Sequence, residues 1–508
     1  VADKLISSKI FTCMRNDPMP ETLIYRLNFK RVPIKNIPPD ERRRDFYKHV
    51  TIGYSKAEAM REASRCMGCG LCIQGCPARL DIPGYVQAIA RGEFEKSLKI
   101  IMRDLPFPEI CGNICTHNCE DNCVYSDPVA IRHLKRFVAE QFNDYQSILN
   151  RKKMEPTGKK VAIIGSGPAG LTVAYILTMF GVDCTVYEAL PVPLGMLNVG
   201  IPKYRLPAKV IEKEYNFIKN AGVKFLFNTM VGRDVSFEEL MKNYDAVFLG
   251  IGTMKGNLTG TPGSDGKYVY HALDFLRMAN LGEKIPMGKK VAIIGGGFTA
   301  MDSARTALRL GAEKVYVLYR RRAEDRPGYP SKNAEEEMEE TEEEGVEFLW
   351  KITPIEYVKD SNNMIKGIRY WKNEMVGEKG GGRLKPVPIK DIEFFIEVDT
   401  IIEATGQSPD LSFLPLELSK NLKMKGNEIV VNDDGMTSIS GLFAGGDATN
   451  TTKDFISAVA DGNRAAKGIL KFLKINYNTI EKVECNKMSQ VMRESLGREV
   501  KCNDYIEI

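Results

Sequence analysis

Eight of the chain's 12 cysteines fall in two tight runs, and no other feature constrains the fold as strongly. The first run is Cys66-x2-Cys69-x2-Cys72-x3-Cys76, followed by Pro77; the second is Cys111-x3-Cys115-x3-Cys119-x3-Cys123. Eight thiolates make two four-cysteine sites, and the first spacing with its proline is the ferredoxin pattern for a 4Fe–4S cluster. Structural zinc takes two close ligands, a long spacer and two more. Two runs of four suit cubanes better, because short loops wrap one compact cluster. In the ferredoxin pattern the fourth cysteine crosses to the other cluster. That logic groups Cys66, Cys69, Cys72 and Cys123 at one site, and Cys76, Cys111, Cys115 and Cys119 at the second.

A disulfide framework is the weaker reading. A 508-residue chain has core enough without staples, and it opens VADKLISSKI, with no charged-then-apolar leader. Bunched cysteines in such a chain point to metal binding in a reducing cytoplasm. His117, inside the second run, reads as a donor behind the ligands or as exposed. Cys13, Cys485 and Cys502 read as ordinary thiols and Cys184 as core. Hydrophobic content of 43% and charged content of 27% are those of a globular protein. A net charge of +5 is too diffuse to argue for nucleic acid. No apolar run approaches the ~18 residues of a membrane span. Arg42-Arg43-Arg44 reads as a solvated or partner-facing patch, and Glu335–Glu344 as an exposed helix face.

The run Lys159–Ile164 has strand character and leads into Gly165-x-Gly167-x-x-Gly170, a helical stretch, and a second strand, Asp183–Tyr187, ending in Glu188. This is a full dinucleotide-binding context: glycines for the turn and for close approach to a pyrophosphate, an acidic residue for ribose hydroxyls. The cassette repeats at Lys289–Ile294, Gly295-x-Gly297-x-x-Ala300, a helix to Leu310 and a strand at Lys314–Tyr319. Here the position matching Glu188 is Arg320, followed by Arg321 and Arg322. A carboxylate would repel a 2′-phosphate, whereas guanidinium groups bind it bidentately. The second site is therefore expected to take NADP(H). Strand-like Asp399–Ala404, then Gly441–Asp447 with Gly446-Asp447 suited to a polyol chain, then a helix over Ile456–Phe472, return the chain to the first nucleotide unit.

With these motifs the chain resembles the two-dinucleotide-binding flavoproteins, specifically the small subunit of NADPH-dependent glutamate synthase. Related types are the large subunit of NADH-dependent reduced ferredoxin:NADP oxidoreductase and the N-terminal part of dihydropyrimidine dehydrogenase. The resemblance covers about residues 50 to 472. It is carried by Cys111-Gly112-x-x-Cys115, Cys119-Glu120-x-x-Cys123, Gly195-Met196-Leu197-x-x-Gly200-Ile201-Pro202-x-Tyr204-Arg205-Leu206-Pro207, Tyr319-Arg320-Arg321 and Gly445-Gly446-Asp447. It implies FAD on Gly165, Gly167, Gly170 and Glu188, with Asp447 at the ribityl or pyrophosphate end. Gly195, Met196 and Arg205 would lie along the flavin ring. NADP(H) would sit on Gly295, Gly297, Ala300, Arg320 and Arg321. The middle gap of the first cysteine run is two residues here, where the family commonly has four.

The expected fold is α/β: a helical domain with two 4Fe–4S clusters, then two Rossmann-type units with the NADP domain inserted in the FAD domain. The boundaries are 1–150 for the iron–sulfur domain, 151–287 and 398–472 for the FAD domain, 288–397 for the NADP domain, and 473–508 for a tail. The expected function is an NADP(H)-handling oxidoreductase subunit that passes single electrons through its clusters to a partner redox subunit or ferredoxin. Its setting would be a ferredoxin-linked or electron-bifurcating NADP transhydrogenase. Alternatives are a glutamate synthase small subunit beside its large subunit, a sulfide or polysulfide reductase subunit, and a non-catalytic redox sensor. None of His49, His117, His133 and His271 has a motif context for acid–base catalysis.

Overall fold

The computed structural model describes residues 30–377, 384–450 and 452–477, with the backbone of 479–481 and 504–506. Cys13, Cys485, Cys502 and most of the tail lie outside the described residues. The cysteine-bearing region is a set of short helices: α1 (Lys56–Ser64), α2 (Leu71–Gly75), α3 (Ile82–Ala90), α4 (Phe94–Ile101), α5 (Pro108–Ile114), α6 (Asn118–Asp121) and α7 (Ile131–Glu140). A reciprocal capping box between Ser55 and Glu58 starts α1, and the Asp81 carboxylate accepting from the Gly84 N–H starts α3. Helices α5 and α7 touch backbone to backbone: a Cβ on Gly112 would lie 2.5 Å from Arg136 Cα. Ile110, Leu134 and Phe137 of these helices share one apolar core with Leu171, Phe217 and Ile469 of the next unit. The helical domain and the first nucleotide unit are therefore one packed body.

That unit holds β1 (Lys160–Ile164), α8 (Pro168–Met179), β2 (Asp183–Tyr187), α9 (Ala208–Asn220), β3 (Lys224–Leu226) and β4 (Ala246–Leu249). The inserted unit holds β5 (Val269–His271), β6 (Lys290–Ile294), α10 (Phe298–Arg309), β7 (Lys314–Tyr319), α11 (Lys332–Glu343) and β8 (Glu347–Trp350). An antiparallel sheet of β9 (Ile352–Lys359), β10 (Ile365–Val376), β11 (Lys385–Pro388) and β12 (Phe394–Ile396) follows. Strand β13 (Thr400–Glu403), then β14 (Leu442–Ala444) and α12 (Phe455–Phe472), follow.

Both main sheets are parallel, in the orders β14-β4-β1-β2-β3 and β5-β13-β6-β7-β8. Their central strands are continuous apolar runs, as strands covered on both faces must be. The expected boundaries need correction. Val269–His271 and Thr400–Glu403, assigned from sequence to the first unit, pair in the second sheet, with Ile402 opposite Ile293. The chain crosses between units where Lys255–Gly256 pairs with Gln407–Ser408.

Two surface expectations also change. Glu344 caps α11 fully buried, and three guanidinium groups from two regions converge on it: Arg42 at 3.0 Å, Arg305 at 2.7 Å and Arg309 at 2.5 Å. The acidic run is thus half interior, and Arg42 is buried where a solvated patch was expected. Burial works against ionisation of Glu344, yet Arg305 and Arg309 outweigh it and hold the carboxyl down at about 2.

Candidate active site

The first glycine turn follows β1 directly. Gly165 has φ +97°, and a Cβ there would lie 2.5 Å from the Gly250 carbonyl, so only glycine makes this turn. Gly167 caps α8, with Pro168 at its first position. After β2 the Glu188 carboxylate accepts from the Ser166 N–H at 2.9 Å, the Ser166 hydroxyl at 2.5 Å and the Leu190 N–H at 2.8 Å. After the edge strand β14 of the same sheet, Asp461 receives the Gly446 N–H at 3.0 Å and orders the turn that presents Asp447. Burial first, then Asp454, pushes the Asp447 carboxyl up to about 6.

In the second unit Gly295 and Gly297 open α10. Arg320 and Arg321 follow β7, and Arg321 donates to the Leu384 carbonyl. Arg322, which the sequence groups with them, pairs with Asp325 at 2.8 Å. Arg320 is exposed and has no ion pair among the described residues.

One cleft of about 2230 Å³ joins the two sites. Gly165, Gly167, Glu188, Gly195, Met196, Gly446 and Asp447 line one side, and Gly295, Gly297, Arg320 and Arg321 the other. Gly170 and Ala300 lie beneath the turns, not in the lining: a Cβ on Gly170 would meet the Gly165 carbonyl at 2.2 Å, and Ala300 is fully buried. Arg205 borders the cleft, but its guanidinium is committed to Asp302 at 2.7 and 2.8 Å and to Glu337 at 2.7 Å. It lines the cleft beside Gly195 and Met196 and also ties the two units together.

All eight cysteines of the two runs are free thiols. Cys66, Cys69, Cys72 and Cys123 border one cavity with Met67, Ile82, Pro83 and Tyr125. Burial, then Cys66, pushes the Cys72 thiol well up. Cys76, Cys111, Cys115 and Cys119 are buried around Lys135. Among the described residues no three His, Cys, Asp or Glu side chains close on a point that would hold a single metal ion. Four converging thiols with a cavity between them suit a larger cationic body such as a cubane. Cys66 and Cys123 of the first quartet are partly exposed, whereas all four of the second are buried. The second quartet's helix α5 packs on the first nucleotide unit, with Phe107 edge-on to Phe455 at 6.3 Å. His117 is buried and its backbone N–H bonds Cys115, so it stands behind the ligand set.

Two buried charges escaped the sequence reading. The Lys135 ammonium donates to Cys111 Sγ at 3.0 Å. Glu214, on α9, accepts the N–H groups of Glu109 at 2.6 Å and Ile110 at 3.0 Å, capping α5 from the other domain. Burial, then Glu109, pushes the Glu214 carboxyl up to about 8. A signal existed for both: Lys135 falls one turn after Ile131, and Glu214 lies between Ile211 and Ile218, each on the apolar side of its helix.

Residues 159–462 match the family described as pyridine nucleotide-disulphide oxidoreductase, and residues 42–147 match dihydropyrimidine dehydrogenase domain II, 4Fe-4S cluster. The chain is 38% identical over 436 residues to the NADPH-Fe(3+) oxidoreductase subunit beta of Geobacter sulfurreducens, covering 79% of this chain and 63% of that protein. It is 39% identical over 437 residues to the NADP(+)-dependent formate dehydrogenase subunit beta of Moorella thermoacetica, covering 79% and 60%. To the glutamate synthase [NADPH] small chain of Escherichia coli it is 32% identical over 443 residues, covering 83% and 93%. It thus spans less than two thirds of the length of the first two. Among solved structures, Mycobacterium tuberculosis FprA in complex with NADPH shares the fold, with TM-score 0.52 and 18% identity over 63% of this chain and 85% of that one. No helix of the described residues is long and apolar enough to cross a membrane.

Proposed function

The chain belongs to the pyridine nucleotide-disulphide oxidoreductases, in the glutamate synthase small-chain group with a 4Fe–4S domain, and from that premise we propose that it is the NADP(H) end of a multi-subunit oxidoreductase. Bound in the cleft, FAD would supply the exchange of a hydride for single electrons, and the clusters would carry those electrons. The protein's own residues provide the rest. Gly165, Gly167 and Glu188 would seat the adenosine diphosphate half of FAD, with Asp447 accepting from its polyol. Gly195 and Met196 would cover the ring. Gly295 and Gly297 would take the NADP pyrophosphate, and the guanidinium groups of Arg320 and Arg321 the 2′-phosphate. The two cysteine quartets would hold one cluster each, as grouped above.

One observation carries this reading: the second quartet is buried against the first nucleotide unit, while the first quartet reaches the surface through Cys66 and Cys123. Both quartets neighbour the cleft, through Thr116 and Asn118 beside the second and Tyr125 beside the first, and the first opens to a face where a partner's redox centre would dock. The relatives are named as subunits of different oxidoreductases, which supports a reading in which the partner would define the reaction. The tight first cysteine run favours a ferredoxin-linked, electron-bifurcating NADP transhydrogenase. The 93% coverage of the Escherichia coli glutamate synthase small chain supports a second reading, a glutamate synthase subunit.

Anaerobic purification from the native host, with mass spectrometry of what co-purifies, tests the assignment. A second flavin or iron–sulfur subunit handling ferredoxin or NADH supports the transhydrogenase. A large amidotransferase-type chain replaces it with glutamate synthase. NADPH that leaves the flavin unbleached sinks both.

A further inference from the structure

We infer that Lys135 sets the two clusters apart in potential, raising that of the cluster in the Cys76, Cys111, Cys115 and Cys119 quartet; this rests on the grouping proposed above. The ammonium lies 3.0 Å from Cys111 Sγ and within electrostatic reach of all four sulfurs of that quartet. It is 3% exposed, and no carboxylate pairs with it among the described residues. A buried cation without a counter-charge is costly, so its partners must be the sulfurs themselves. Its place is fixed, because α5 and α7 meet backbone to backbone at Gly112 and Arg136, one residue from Cys111 and Lys135 respectively. In the other quartet the main charges facing Cys72 are thiols, Cys66, Cys69 and Cys123 with Cys119 of the second. The nearby Arg65, over the Tyr125 ring at 5.5 Å, is already paired with Glu62 at 2.6 Å.

A thiolate-ligated cube is net negative, and gaining an electron in a buried site makes it more so. A hydrogen-bonded ammonium stabilises the reduced form more than the oxidised one, which raises the potential. The electron gained is one delivered by the reduced flavin. With Lys135 in place, that electron rests in the buried cluster beside the flavin unit until a partner docks at the exposed one.

EPR-monitored redox titration of the anaerobic protein tests this. Lys135→Met should lower the second cluster's one-electron reduction equilibrium tenfold or more, about 59 mV. The first cluster should stay put, and Lys135→Arg should restore the second. An unchanged potential in a Lys135→Met protein with both clusters loaded by iron analysis overturns the inference, as does an equal shift of both clusters. Should that variant lose its cluster, pulsed EPR of the reduced wild-type protein carrying ε-15N-lysine decides. A lysine nitrogen coupled to the second cluster supports the inference and its absence overturns it. Fewer than two clusters in the wild-type protein would instead sink the quartet assignment itself.

Discussion

The two nucleotide units start from the same six residues, Lys-Lys-Val-Ala-Ile-Ile, at 159–164 and again at 289–294. They build the same parallel core and the same glycine turn, yet they differ where the second strand ends. In the first unit Glu188 is 6% exposed and held by Ser166 and Leu190. In the second, Arg320 stands exposed at the equivalent place. The difference teaches that the glycine-turn backbone is common to both units, while on the function proposed above the choice of nucleotide would sit in the side chains at a strand end.

The sharpest way to break the symmetry is to fill each turn in turn. Gly165→Val should abolish flavin retention, read by absorbance of the purified protein, because a β-branched residue at φ +97° would strike the Gly250 carbonyl. NADP(H) binding, followed by calorimetry, should survive it. Gly295→Val should do the reverse, since its Cβ would lie 2.3 Å from the Ala404 carbonyl.

Next in size is the buried charge cluster of the second unit, where Arg42 of the helical domain joins Arg305 and Arg309 on Glu344. Glu344→Gln leaves Arg42, Arg305 and Arg309 short of their buried counter-charge, at a cost of about 3–5 kcal/mol. The loss should appear as faster hydrogen exchange in α10, with β1 and β4 of the first sheet unaffected. A smaller effect is expected at the selecting residue. Arg320→Ala should reduce kcat/KM for NADPH by a factor on the order of 10 to 100, the worth of one charge-assisted hydrogen bond. NADH turnover should hold steady, and an equal fall for both nucleotides would show that Arg320 does not read the 2′-phosphate.

The smallest expected effect is a pH dependence found in the first unit. Asp447 is raised from 3.8 to about 6 in the fold, so the folded state holds its proton more tightly than the unfolded state across that window. Stability of the flavin-free protein should therefore fall as pH rises from about 4 to 6 and stay lower above it. Asp447→Asn should remove the fall: thermal melts should separate from the parent at pH 7.5 and converge near pH 4.5. Melts that stay parallel would mean that the carboxyl is ionised throughout.

The strands and the glycine turns were legible in the sequence because each depends on residues a short loop apart. Asp183–Tyr187 and Lys314–Tyr319 are strands with the bounds read from their apolar runs. Asp399–Ala404 was legible as an extended run but not by sheet, since an apolar run fits either core equally well, and the short strand Val269–His271 carried no signal of its own. The arginines behaved similarly. Arg321 lines the cleft as the motif implies, and Arg205 in an equally distinctive motif also pairs with Asp302 and Glu337, 97 and 132 residues away.

The sequence by itself determined which chemistry the chain offers: thiolates that would suit clusters, glycine turns that would suit pyrophosphates, guanidinium groups that would suit a phosphate. These follow from side-chain type and local spacing, which the covalent chain enforces. Tertiary structure decided which charges are buried and whom they face. Arg42 meets Glu344 across 302 residues, and Lys135 meets Cys111 only because two helices close at Gly112. A charge leaves water only when folding supplies its partner, and that partner is set by packing between distant segments.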